Sequence, residues 1–229
     1  MSTWGGSVTA QTTVDRPFFS QLLRERSWGF HQRAESAGFM QALMDGEIDR
    51  AGYALMVAQH LAIYEALETV ERELYTSDVA KPFLTDKLHR VPSLRADLAA
   101  LVGPERVRTL PLLPATLRYT VRIREMSGWA GGFVAHHYTR YLGDLSGGLA
   151  IGKVVARVYG LTDAGVSFYR FDQIEKPKPF KDEYRAHLDA APWEPDEQER
   201  VIAEVLNAYQ LNTDVFTDLA EAVGLGGGR

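Results

Sequence analysis

Apolar residues recur with helical spacing through most of the chain. Phe18, Phe19, Leu22, Leu23, Phe30, Ala34 and Ala37 follow one such rhythm, which Asp45-Gly46 interrupts. A second pattern, rich in alanine, leucine and glutamate, predicts a helix from about Ile48 to Leu74. Pro82, Pro92, Gly103-Pro104, Pro111 and Pro114 divide the next stretch into short helices and loops, and a helix from about Ala115 to Met126 follows. Gly128, Gly131 and Gly132 predict a break ahead of a long glycine-bearing helix that ends near Tyr159. Gly160 to Pro179 reads as a loop with extended residues from Val166 to Phe171, and Phe180 to Leu188 as a short helix. Pro195, followed by Asp196, Glu197 and Glu199, opens the last helix, because proline suits a first turn and acids suit the positive helix end. With no internal repeat and no set of alternating strands, the expected fold class is all-α. A single compact multi-helix domain over 17–222 is expected, between an N-terminal tail (1–16) read as disordered and a flexible C-terminal tail (223–229).

The helix after Tyr138 departs from good helix chemistry. Its sequence, YTRYLGDLSGGLAIGK over 138–153, contains Gly143, Gly147, Gly148 and Gly152. Each interior glycine weakens a helix by roughly 0.8–1 kcal/mol relative to alanine, so the four together give up roughly 3–4 kcal/mol. In return the backbone can bend and a neighbour can approach it closely. Two neighbours are possible. Gly143/Gly147 and Gly148/Gly152 have the four-residue spacing of close helix contacts, which needs only a second helix. A broad flat ligand would use the same thinned surface. Asp144, with Ser146 and Arg140 nearby on the helix, favours the ligand, because packing alone has no use for a group that holds water.

The run Ala135-His136-His137-Tyr138-Thr139-Arg140-Tyr141-Leu142-Gly143-Asp144-Leu145-Ser146-Gly147-Gly148 resembles the signature of the heme oxygenase family. The similarity extends to Leu23–Met40, Ile63–Glu68, Phe180–Arg185 and Leu211-Asn212, and so covers the chain from about Phe18 to about Phe216. The resemblance implies an all-α fold holding heme b, which is both cofactor and substrate, between a proximal helix and this kinked glycine-rich distal one. The implied reaction uses O2 and electrons from an external donor, such as a ferredoxin or an NAD(P)H-dependent reductase. Its products are biliverdin, by family default the alpha isomer, carbon monoxide and ferrous iron.

The resemblance also assigns residues. Among the six histidines, His31 matches the proximal iron ligand, and Glu35, one helical turn on, can reach its other ring nitrogen. Lys181, Arg185 and Tyr138 match contacts to the heme propionates, and Arg24 stands where the family more often has lysine. Gly143, Ser146, Gly147 and Gly148 form the distal wall. Tyr64, Tyr119, Arg140 and Asn212 match a hydrogen-bonding network around Asp144, whose water chain delivers protons to bound oxygen.

Bulk composition agrees with this reading and narrows it. The 229 residues are 45% hydrophobic, an ordinary globular content, and the formal net charge of -5 argues against a nucleic-acid partner. No cysteine is present, which removes disulfides, thiolate nucleophiles, iron–sulfur clusters and cysteine-ligated heme. Met1 to Asp15 carry no basic and apolar signal pattern, and no stretch reaches the roughly 20 apolar residues of a membrane span. The sequence ends Gly224-Leu225-Gly226-Gly227-Gly228-Arg229 where membrane-anchored members of the resembled family carry an apolar anchor. A soluble, bacterial-type cytoplasmic enzyme is therefore expected. Two other classes compete with it. A heme carrier or sensor would hold the same ligand without turnover, and a helical enzyme of the thiaminase or cofactor-synthesis type would bind no heme.

Overall fold

Helix starts follow the local chemistry of the chain. The computed structural model describes residues 18–35 and 38–225, and for 31–35 the backbone alone. The first apolar rhythm forms α1 (Phe19–Glu35) and α2 (Gly38–Asp45). Asp49 caps α3 (Arg50–Glu73), its carboxylate accepting from the Gly52 amide at 2.7 Å. Proline lies in the first turn of α4 (Val91–Val102), α5 (Pro114–Glu125), α8 (Pro177–Ala190) and α9 (Pro195–Ala222), where its missing N–H is harmless. Between α5 and α8 lie α6 (Ala130–His137) and α7 (Leu149–Tyr159), the latter stopped by Gly160 in the left-handed region at φ +62°.

α3 packs between α4 and α5, while the long α9 runs beside α1, α5 and α6. Their apolar faces meet in one connected core that includes Leu23, Phe39, Ile63, Leu67, Phe133 and Val215, all fully enclosed. Each such side chain contributes about 1.5–3 kcal/mol relative to exposure.

Two sequence expectations are corrected. The break before the glycine-bearing helix ends at Trp129, so Gly131 and Gly132 lie inside α6. The reason is close approach: a Cβ at Gly131 would fall 2.5 Å from Glu197 Oε1 and 3.0 Å from Val201 Cγ2 on α9. The segment expected to be extended, Val166 to Phe171, contains a 3-10 turn at Ser167–Tyr169, and no strand occurs among the described residues. Its amides are taken by one buried carboxylate instead. Asp97 of α4 accepts from the amides of Gly165, Ser167 and Phe168 at 3.0, 2.9 and 2.7 Å, and from the Ser167 hydroxyl at 2.8 Å. The tail 1–16 lies outside the described residues, as do 226–229 of the C-terminal tail.

Candidate active site

Beyond α6 the winding widens. Tyr138–Leu142 and Asp144–Gly148 are π-helical, with Gly143 between them, a distortion that recurs at functional sites. Thr139 and Ser146 hydroxyls donate to the Ala135 and Leu142 carbonyls at 2.9 and 2.7 Å, a back-bonding pattern that bends helices. The four glycines of this helix then separate by what they face. A Cβ on Gly152 would fall 2.7 Å from Tyr169 Cβ, and one on Gly148 would meet the Tyr169 ring at 3.6 Å, so this pair serves packing. A Cβ on Gly143 would meet nothing within 4 Å, and one on Gly147 only Ile151 Cδ1 at 3.9 Å. The packing expectation therefore holds for Gly148 and Gly152, against a 3-10 turn and not a second helix, while Gly143 and Gly147 keep an open side.

The open side of Gly143 and Gly147 is a cavity of about 140 Å³ with an apolar end at Met40, Met56 and Phe216 and a polar end at Arg140, Asp144 and Asn212. A second cavity of about 320 Å³ shares Gly143 and Tyr209 with it and opens onto Arg24, Tyr138, Ser146, Lys181 and Arg185. A larger groove of about 870 Å³ lies elsewhere, lined by Glu65, Arg72, Arg95 and Arg124 among others; there Arg95 pairs with Glu65 at 2.6 Å, and the buried Glu68 accepts from the Arg90 and Val91 amides.

The polar end is a network centred on Asp144. The Tyr64 hydroxyl donates to Asp144 Oδ2. Arg140 Nη1 donates to Asn212 Oδ1 at 2.6 Å, and its guanidinium lies 5.1 Å from the centre of the Tyr64 ring. Arg140 Nε and Nη2 and the Tyr119 hydroxyl are buried with no protein partner among the described residues. Buried polar atoms are nearly always satisfied, so the two Arg140 atoms, on the cavity wall, mark a place completed by water or ligand; Tyr119 does not line the cavity. Burial pushes the pKa of Asp144 up, against the pull of Arg140, Tyr64 and Arg90. Burial and Asp144 push that of Tyr64 well up as well, so its hydroxyl stays protonated and donating.

The rim is cationic. Lys181 Nζ donates to Ser146 Oγ at 3.0 Å, and burial beside Arg185 lowers its pKa. Tyr138, raised by burial, feels both Arg185 and Arg24. Lys181 and Arg185 share one side of α8, as their spacing predicts; the exposed Asp182 pairs with both Lys178 and Arg185, each at 2.9 Å. Three cations about a phenol suit a pair of carboxylates.

A family model for heme oxygenase matches residues 18–218. The chain belongs to the heme oxygenase family. It is 36% identical to rat heme oxygenase 1 over 204 residues, covering 87% of this chain and 71% of that protein. It is 35% identical to the heme oxygenase of the red alga Porphyra purpurea, covering 88% and 86%. Among solved structures, heme oxygenase-1 of the cyanobacterium Synechocystis in complex with heme superposes with a TM-score of 0.84 at 30% identity, covering 91% of this chain and 96% of that one. The heme oxygenase of Leptospira interrogans gives 0.82 at 33% identity, covering 87% and 98%. No helix among the described residues is long and apolar enough to cross a membrane.

The histidines are the candidate iron ligands. The side chains of His31 and Glu35 lie outside the described residues; the backbone places both on α1, which packs against α8 and α9. The other five have partners in the protein. His136 Nε2 meets Glu204 at 2.9 Å, His137 Nδ1 the Tyr184 hydroxyl at 2.9 Å, and His89 Nε2 Glu71 at 3.1 Å. His187 lies 4.0 Å from Glu183, and His60 Nδ1 is 3.0 Å from the Met56 carbonyl. Of these five only His60 lines the cavity, together with Phe168 and Tyr169. Sequence reasoning missed all three. The available signal was that His60 precedes Tyr64 by four residues and so shares its face of α3; Phe168 and Tyr169 carry no comparable mark.

Proposed function

We propose that this heme oxygenase degrades heme b, using O2 and reducing equivalents, to biliverdin, carbon monoxide and ferrous iron. The observation that carries the reading is the opened helix: Gly143 and Gly147 face free space beside a carboxyl held by Tyr64, with unpartnered N–H groups of Arg140 behind it. These groups fit a flat ligand with a wet, proton-supplying edge and two carboxylates at its rim.

Bound iron, once reduced, supplies dioxygen binding and activation. His31 is the residue that would hold it, with Glu35 fixing the imidazole tautomer. Gly143 and Gly147 let the ring lie against backbone, with Ser146 and Gly148 flanking. Asp144, steadied by the Tyr64 hydroxyl, holds water and passes protons inward, and the chain of water is anchored at Arg140, Tyr119 and Asn212. Lys181, Arg185 and Tyr138, with the exposed Arg24 at the mouth, would hold the propionates and so set the orientation of the ring. That fixed orientation is the basis for a single isomer, the alpha. The cationic rim also suits an acidic donor such as a ferredoxin, or an NAD(P)H-dependent reductase, in the cytoplasm.

The test is to mix the protein with hemin, a reductant and oxygen, extract the pigment and assay carbon monoxide. Biliverdin and carbon monoxide together are expected. A Soret band without pigment conversion would make the protein a carrier or sensor, and no Soret band would remove heme altogether.

A further inference from the structure

His60 is the one histidine among the described residues of the cavity wall, and it has no part in the network described above. A carbonyl only accepts, so the 3.0 Å contact fixes the ring as the tautomer whose Nδ1–H donates to Met56. Nε2 is then a bare lone pair on the ring edge turned away from the α3 backbone. The ring is steered by aromatic contacts, edge-on to Phe168 at 5.7 Å and tilted against Phe216 at 6.2 Å. Tyr64, four residues later, packs edge-on against the same Phe168 ring at 5.7 Å. Phe168 thus touches both the imidazole and the ring of Tyr64, whose hydroxyl holds Asp144. Burial, reinforced by the nearby Arg140 charge, depresses the pKa of His60 to about 3, so the lone pair stays available at neutral pH. A leucine would pack here as well; a fixed acceptor set against Phe168 and Phe216 needs a donor.

We infer that His60 is a positioning residue of this site, its Nε2 accepting a hydrogen bond from water in the cavity and so anchoring the inner end of the water chain that runs to Asp144. It touches neither ring nor iron and acts through that water. The inference rests on the heme-degrading reading for its consequence in turnover, but not for the hydrogen bond itself.

His60→Leu removes the acceptor at similar size, and His60→Gln restores an acceptor on a flexible stem. With hemin, reductant and oxygen, His60→Leu is expected to convert hemin about three- to tenfold more slowly, the effect of one lost hydrogen bond, at unchanged hemin affinity. His60→Gln should recover most of that loss. The spectroscopic check is the C–O stretch of the reduced hemin complex under carbon monoxide. It should move in His60→Leu and return toward the native frequency in His60→Gln, whereas a purely structural role would leave it alone. The ¹⁵N spectrum of the hemin-free protein gives an independent answer. Nε2 of His60 should carry the shift of an unprotonated nitrogen that accepts a hydrogen bond. A protein that bound no hemin would end the heme reading and leave the nitrogen spectrum to decide on His60. Native turnover and stretch in His60→Leu, a protonated Nε2, or an Nε2 shift without hydrogen bonding would each overturn the inference.

Discussion

Alanine at Gly143 separates stability from ligand binding in one substitution. The backbone there is helical, φ -60° and ψ -53°, so alanine fits without strain. The added methyl meets no heavy atom within 4 Å. The protein without ligand should therefore gain roughly the alanine–glycine difference of 0.8–1 kcal/mol, which raises Tm by about 2–4 °C at this chain length. The same methyl stands in the space beside Asp144 where the ring is proposed to lie. Overpacking of about 1–3 kcal/mol predicts hemin affinity lower by about five- to a hundredfold. Gly152→Ala is the control with the opposite sign. Its methyl would lie 2.7 Å from Tyr169 Cβ, so the helix gain is offset by overpacking of about 1–3 kcal/mol, and Tm should not rise. Scanning calorimetry of the hemin-free proteins and a Soret titration of each measure both quantities. Native hemin affinity in Gly143→Ala would refute the ligand reading of this glycine, and a lower Tm would refute the geometry.

Three further outcomes follow from the site. Asp144→Ala should still bind hemin, yet convert it about a hundredfold more slowly, a loss of two factors of ten at 1.36 kcal/mol each; normal pigment yield at the normal rate would remove the water-holding role. Lys181→Ala with Arg185→Ala should weaken hemin binding about tenfold and mix the biliverdin isomers, and an unchanged isomer ratio would take these cations out of orientation. Burial lowers the pKa of His60 and His137 to about 3 in the folded protein, against about 6.5 unfolded, so the unfolded chain binds the extra protons. Their contribution is complete above pH 6.5 and declines as pH falls toward 3, by up to about 1.4 kcal/mol per pH unit for each. Urea unfolding at pH 7.5 and 5.5 should show that decline and its shallower form in His60→Leu; equal slopes in the two proteins would contradict it. His89, raised by its bond to Glu71, works in the other sense and is the same in both.

Legibility in the sequence tracked the range of the forces involved. Pro195 begins its helix as read, because a first-turn proline acts on its own backbone. Val166 to Phe171 was misread because its partner, Asp97, lies 68–71 residues away in sequence and presents itself there only as one acid on an amphipathic helix. The unusual composition of 143–152 is plain in the sequence, but which glycine faces protein and which faces space depends on where Tyr169 lands. The set around Asp144 came from the family resemblance, since a tyrosine at a helix interface or an arginine in an ion pair is ordinary on its own. The apolar end of the cavity was not legible, since Met40, Met56 and Phe216 read as ordinary core.

The Asp97 clamp has a consequence for how such a site can diversify. Four donors between residues 165 and 168 converge on one side chain, so Phe168 and Tyr169 take their position from α4 and not from the chain on either side of them. Because lengthening a surface loop changes closure entropy only slowly, the exposed residues before and after this turn can drift in length and sequence while the cavity wall stays fixed. Variation among descendants of this chain should gather in 162–164 and 172–173, between the core-packed Leu161 and Ile174, and a library built there would reshape the surroundings of the cavity without moving its aromatic wall.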